Sequence, residues 1–139
     1  MANRDQEEGV GGHGTLAMWL LVGWGILCAA WNAYGAAQIA NGLPAPGPTA
    51  TYAGAGLALM LSVLFFVTVG RWPLIYRILA GIAAAVAAVA IWNAFILDPS
   101  NWPSALWRWS GVGLNAVGLG AAVWAVFPAA ADGAERPEP

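Results

Sequence analysis

Between Thr15 and Phe127 the chain has only four charged residues, and each lies at or near the end of a long apolar stretch. The stretches cover residues 15–39, 52–70, 74–97 and 105–127. A helix needs about 20 apolar residues to cross the hydrocarbon core of a bilayer. The sequence therefore predicts an all-α integral membrane protein whose fold is a four-transmembrane-helix bundle.

Helices of this length leave no room for a soluble domain in a chain of 139 residues. We expect one transmembrane domain, 15–127, between a polar N-terminal tail, 1–14, and an acidic, Pro-containing C-terminal tail, 128–139. The first apolar stretch is longer than a typical signal-peptide core, and no net positive charge precedes it. We therefore expect the first helix to be retained.

The arginines indicate an orientation. Arg71 and Arg77 lie near the short turn between helices two and three, and neither has an acidic neighbour. If both termini lie on the same side as this turn, four of the five arginines share that side and only Arg108 lies opposite. The positive-inside rule then places both termini in the cytoplasm. The expected location is a bacterial cytoplasmic membrane.

Tryptophan is abundant, with nine residues in the chain. Indole side chains concentrate where hydrocarbon meets water, because the ring is apolar and its N–H is polar. We expect five of them to anchor the helices at the two membrane surfaces. The outer anchors are Trp102, Trp107 and Trp109, and the inner ones are Trp72 and Trp124.

A short Trp-Asn-Ala-aromatic motif occurs twice, near the ends of helices one and three. It comprises Trp31, Asn32, Ala33 and Tyr34, and again Trp92, Asn93, Ala94 and Phe95. Each copy precedes a Pro-containing loop and another helix. This arrangement suggests two parallel two-helix repeats, a symmetry known among membrane proteins.

Three asparagines lie in the apolar stretches: Asn32, Asn93 and, near the middle of helix four, Asn115. Hydrocarbon cannot satisfy an amide side chain, so we expect Asn32 and Asn93 to face the bundle interior. Two interpretations stay open. In one, Asn32 and Asn93 join helices one and three by hydrogen bonds. In the other, a polar pocket is formed by Trp31, Tyr34, Trp92 and Phe95.

Small residues at helical spacing predict close helix packing. They lie at Gly25, Ala29, Ala33 and Ala37, at Ala80, Ala84 and Ala88, and at Gly113, Ala116 and Gly120. These stripes predict a tight bundle with little room for a wide pore or a large cofactor. The uncharged loop 41–51, with three prolines, is interpreted as an extended spacer.

The sequence lacks the residues that several kinds of chemistry require. No carboxylate lies between the helix ends to couple proton movement, and the single His, His13, precedes the first stretch. Cys28 has no His or carboxylate within helical reach to activate it. The net charge of −2 offers no basic patch for nucleic acid. We predict a protein that is not an enzyme, holds no cofactor or metal and binds no nucleic acid.

These observations favour a non-catalytic accessory or structural subunit of a larger inner-membrane complex, with a respiratory, photosynthetic or transport function. Its expected partners are membrane lipids, with other membrane subunits or further copies of the chain. Two alternatives stay open. One is a small homo-oligomeric transporter or channel for a neutral solute, and the other is a membrane protein that binds a lipid, an isoprenoid or a quinone.

Overall fold

The computed structural model describes residues 5–127, with side chains described from Gly14 onward. This part of the chain is all-helical. Its helices are α1 (Asp5–Ala40), α2 (Tyr52–Thr68), α3 (Pro73–Ile96), a 3-10 helix (Pro99–Asn101) and α4 (Ala105–Val126). The predicted C-terminal tail, 128–139, lies outside the described residues.

Three of the helices are long and apolar enough to cross a membrane. They are the Gly14–Ala40 part of α1, α3 and α4. The fourth, α2, has 17 residues, which corresponds to about 26 Å of helix and falls short of the expected full span. The prediction of an all-helical fold with apolar helices of membrane-spanning length is therefore confirmed for three helices of four.

The first helix begins earlier than the apolar pattern predicts. It starts at Asp5, inside the segment expected to be a polar tail, and continues without a break to Ala40. Apolar composition marks only the Gly14–Ala40 part, so the sequence pattern missed the N-terminal extension.

The connections define two ends of the bundle. The loop end carries residues 41–51 and 97–104, and the turn end carries residues 69–72. At the turn end the backbone N–H groups of Arg71 and Trp72 both donate to the carbonyl of Thr68, and Pro73 begins α3 with a favourable fixed φ. The turn is tight, so α2 and α3 are antiparallel.

Helix packing around the bundle is uneven. Helix α1 packs closely against α2 and α4, and α3 packs closely against α4, whereas α2 and α3 make the weakest contact of the four neighbouring pairs. The close contacts use small residues. Gly25 of α1 is buried so near Ser62 of α2 that a side chain would overlap the hydroxyl, and Ser62 Oγ donates to the carbonyl of Val22, 3.3 Å away.

The small-residue faces of α3 and α4 differ from the predicted stripes. On α4, Gly118, Ala121 and Ala122 are buried, whereas Gly113 and Gly120 are exposed. The buried alanines of α3 are Ala80, Ala83, Ala87 and Ala94. Both helices have small residues at nearly every spacing, so their sequences alone do not select the packed face. The stripe predicted on α1 agrees better with the structure, because Gly25 and Ala29 are both buried.

Candidate functional site

A cavity of about 590 Å³ lies between the four helices, on the side where α2 and α3 separate. This volume falls in the range of about 300–1,000 Å³ that small-molecule sites occupy. On α3 its lining residues run from Leu79 to Ala94, 15 positions apart, which corresponds to about 22 Å along the helix. The cavity is therefore long enough for an extended chain.

The cavity opens sideways between α2 and α3. Five large apolar residues line it and are also about half exposed at the surface of the bundle: Leu57, Met60, Ile82, Val86 and Val89. A residue that is both exposed and part of the lining marks the rim of an opening. The opening is apolar along its length, so a molecule entering there meets hydrocarbon-like surface.

The loop after α1 closes the cavity at the loop end. It does not extend away as a spacer, because Ala45, Pro46 and Ala50 are buried. Pro46 and Ala50 lie against Gly35, which is five residues before the end of α1 and therefore about 8 Å below it. We call residues 44–50 the re-entrant segment, since it turns back into the bundle.

Proline explains why this irregular segment tolerates burial. Backbone groups without regular partners are costly in an apolar environment, and proline has no N–H to satisfy. Pro44, Pro46 and Pro48 remove three donors from the segment. The N–H of Ala50 donates to the carbonyl of Gly47.

Gly35 is expected to hold the re-entrant segment against α1. In Gly35→Ala the new methyl group would overlap the side chain of Ala50, so the segment must move outward. We expect a loss of about 1–2 kcal/mol in the free energy of unfolding. Hydrogen exchange of peptides covering residues 41–51 should become faster.

Gly23→Ala is the matched control on the same helix, because its Cβ would meet nothing within 4 Å. Equal exchange rates in the two variants would show that the packing of Ala50 on Gly35 does not fix the segment.

Polar groups gather at the loop end of the cavity. Asn32 is half-buried, donates to the Cys28 carbonyl at 2.9 Å and accepts a bond from the Thr51 backbone N–H at 3.3 Å. Thr51 Oγ1 in turn accepts from the Gly54 N–H and so caps α2. Asn32 thus links α1 to the start of α2, and it makes no hydrogen bond to α3 among the described residues.

Asn93 and Asn115 also line the cavity. Asn115 donates to the Gly111 carbonyl of its own helix at 2.9 Å, which leaves its amide oxygen without a partner among the described residues. The half-buried Asn93 side chain has no hydrogen-bond partner within the same part of the chain. Both asparagines therefore offer unused hydrogen-bonding groups to a molecule in the cavity.

Arg108 is the one charged residue among those lining the cavity. Its Nε donates to the Ala94 carbonyl of α3 at 2.7 Å. Ala94 lies in the last turn of α3, where carbonyls lack helical partners and positive charge is favourable. The guanidinium carbon also lies 5.7–5.9 Å from the centroids of three rings, those of Phe95, Trp102 and Trp109. Arg108 is therefore held in place at the loop end of the cavity.

No carboxylate neutralises Arg108 within the described side chains. Asp98 is the only acidic residue in that part of the chain, and it does not line the cavity. Its Oδ1 accepts a hydrogen bond from the Ser100 backbone N–H at 2.9 Å. That bond, with a second from the Ser100 side chain, holds the pKa of Asp98 below its usual value. The side chains that line the loop end of the cavity thus include one positive charge and no negative charge.

The structure separates the aromatic residues of the two Trp-Asn-Ala motifs. Trp31 lines the cavity, and its ring centroid lies 5.5 Å from that of Trp107 on α4. Trp92 is 64% exposed and is not part of the lining. Tyr34 is exposed and accepts a hydrogen bond from Gln38, and Phe95 contacts Trp109 outside the cavity. The pocket thus brings together the asparagines and only one of the four aromatics.

The expected anchor residues lie near the two ends of the bundle. Trp72 and Trp124 are near the turn end, and Trp102, Trp107 and Trp109 are near the loop end. Arg71 and Arg77 are exposed near the turn end. Contact of these residues with membrane surfaces stays a prediction. Trp102 also lines the cavity, where its ring lies beside the guanidinium group of Arg108.

Sequence reasoning missed Arg108, Trp102 and the re-entrant segment as parts of the site. Arg108 was a candidate only for setting orientation, yet an unpaired cation one turn inside an apolar helix is itself a signal of function. The alternating prolines of an uncharged loop were the available signal for the re-entrant segment. Among the described residues, no group of three or more His, Cys, Asp or Glu is placed to hold a metal ion.

Comparisons with known protein families, with curated proteins and with solved structures give no match for this chain.

Proposed function

We propose that this chain is an integral membrane protein that binds one amphiphilic membrane molecule, a lipid, isoprenoid or quinone, in the cavity between its helices. The observation that carries the proposal is the form of the cavity. It is apolar over most of its length, opens sideways between α2 and α3, and has most of its polar side chains at the loop end, with Asn115 nearer the middle of α4. That distribution matches a molecule with one polar head and a long apolar chain.

The sideways opening supports entry from the bilayer. In a membrane the half-exposed side chains of Leu57, Met60 and Val86 would face lipid chains, so a bound chain exchanges one apolar environment for another. The driving force then comes from contacts inside the cavity and from the polar groups at its end. Asn93 supplies a hydrogen-bonding group at that end which the described part of the chain does not use, and the amide oxygen of Asn115 supplies another nearer the middle of α4.

The expected membrane placement belongs to the same proposal. Helix α2 lies in the bilayer with the other three, and the re-entrant segment fills the space that its short length leaves at the loop end. Both termini, Arg71 and Arg77 are on the cytoplasmic side of a bacterial membrane. The loop end of the cavity, with Arg108, then lies toward the opposite side.

Filling the cavity tests the proposal. In Ala90→Phe a ring is added at a lining position of α3, and we expect loss of bound lipid because the ring occupies the space of the chain. The protein is extracted in mild detergent and its retained lipids are counted by native mass spectrometry. Wild type should keep one lipid-sized molecule, and occupancy in the variant should fall about tenfold, the effect of losing about 1.4 kcal/mol of binding.

The matched control is Ala88→Phe, which adds the same ring two positions earlier at an exposed residue outside the lining. It should retain lipid as wild type does. A photoactivatable lipid with its reactive group at the chain end should also label α2 or α3 next to the opening. Wild type that retains no lipid, or equal retention in the two variants, would contradict the proposal.

The accessory-subunit and transporter hypotheses remain predictions. The cavity favours binding over conduction, because the core of the turn end contains the fully buried side chains of Phe65 and Leu21.

A further inference from the structure

We infer that the cavity selects a phospholipid with a net negative headgroup, and that Arg108 binds its phosphate. This inference rests on the proposed lipid-binding function and adds the chemistry of the ligand's polar end. It makes Arg108 a specificity-determining residue. A neutral quinone or a diacylglycerol with the same chain length would bind less well.

The first argument is the unused hydrogen-bonding capacity of Arg108. A guanidinium has five N–H donors in a planar fork, and the structure uses the Nε donor for the Ala94 carbonyl. The two Nη groups, with four N–H donors, have no acceptor among the described residues. Arginine binds phosphate oxygens through two parallel hydrogen bonds, for which two such groups are needed.

The second argument is the fixed position of the guanidinium. An exposed arginine at a membrane surface is mobile and contacts passing headgroups without preference. Arg108 is half-buried, bonded to α3 through Nε and within 6 Å of the centroids of three aromatic rings. The Arg108 side chain is therefore already ordered before a ligand binds. Binding then costs little further side-chain entropy, which favours high affinity.

The third argument is charge. Arg108 lines the loop end of the cavity, no described carboxylate pairs with it, and Asp98 is occupied as the cap of the 3-10 helix. A charge in an environment of low dielectric constant attracts an opposite charge more strongly than it does in water. The loop end of the cavity therefore favours an anion over a zwitterion or a neutral group, with the acyl chain directed toward the apolar part of the cavity.

The test compares headgroups on identical acyl chains. Wild type is reconstituted in nanodiscs with equal amounts of dioleoyl phosphatidylglycerol, dioleoyl phosphatidylcholine and dioleoylglycerol, and the retained lipid is identified by native mass spectrometry. We expect phosphatidylglycerol to be retained about tenfold more than dioleoylglycerol, as for one charge-assisted contact. Arg108→Gln should still retain lipid but without this preference.

Two further variants make the result specific. Arg77→Gln removes the same charge from an exposed position of α3 outside the lining, and it should keep the wild-type preference. Arg108→Lys keeps the charge but not the fork, and it should keep only part of the preference. Because Arg108 also caps α3, the melting temperature of each variant is measured. If Arg108→Gln is unfolded, the headgroup preference of Arg108→Lys tests the inference instead.

The outcomes separate the two proposals. Retention of lipid by wild type with no difference between headgroups overturns the inference and leaves the proposed function standing. Equal loss of preference in Arg77→Gln and Arg108→Gln also overturns it, since general surface charge would then be responsible. Absence of any retained lipid in wild type contradicts the proposed function itself.

Discussion

Replacement of Gly118 by alanine is expected to destabilise the bundle by about 2–3 kcal/mol, the upper part of the range for an overpacked core. Gly118 is buried on α4, and a methyl group there would overlap Nε1, Cδ1 and Cε2 of Trp24 on α1. Trp24 is 5% exposed and belongs to the central core, so its rigid ring has to leave its packed position to admit the methyl group. Loss of helicity in a titration of mixed micelles with a denaturing detergent measures the change.

Gly113→Ala is the matched control for this experiment. Gly113 lies on the same helix, is exposed, and its Cβ would meet no atom within 4 Å. Alanine is the better helix former by about 1 kcal/mol in water, so this variant should be neutral or slightly stabilised. If both variants unfold at the same detergent fraction, close packing of α1 on α4 at Gly118 is not what stabilises the bundle.

The contrast between these two glycines shows what the sequence could not provide. The predicted stripe on α4 included Gly113 and Gly120, which are exposed, and omitted Gly118, which is buried. Length and polarity decide whether a segment is an apolar helix, and those properties are local. The rotation of that helix about its axis depends on the shapes of its neighbours, which a chain rich in alanine and glycine does not specify by spacing.

The two Trp-Asn-Ala motifs show the same limit at the candidate site. Their asparagines were expected to face the bundle interior, and both line the cavity, although Asn93 has no hydrogen-bond partner among the described residues. Their tryptophans differ, because α1 packs closely on both α2 and α4, whereas α3 packs closely on α4 alone. Trp31 is therefore half-buried against Trp107, while Trp92 is exposed. An identical local motif acquires two different environments from unequal packing of the helices.

That unequal packing also bears on how the cavity stays open between α2 and α3. A symmetric pair of hairpins would bring α2 and α3 together as closely as α1 and α4, and would close the cavity. The separation of α2 from α3 has to be supported by a rigid contact elsewhere along the same two helices. Phe65 of α2 and Tyr76 of α3 supply it at the turn end, where their ring centroids lie 6.0 Å apart in an edge-to-face arrangement.

Phe65→Ala is accordingly expected to be strongly destabilising. Phe65 is fully buried, and its removal leaves a cavity beside Tyr76. Phe-to-Ala changes in soluble cores cost about 3–5 kcal/mol. We expect about 2–3 kcal/mol here, because the unfolded reference in a bilayer already surrounds the ring with lipid and only the packing contacts are lost. The same detergent titration measures the change.

The adjacent residue gives the control. Phe66 is 58% exposed, and its ring centroid lies 6.0 Å from that of Trp19. Phe66→Ala should therefore cost no more than about 1 kcal/mol. The order of the two effects is the decisive observation, since both variants remove the same ring from the same turn of α2. A larger loss at Phe66 would mean that this helix presents its other face to the core, and the opening between α2 and α3 would then be lined by different residues.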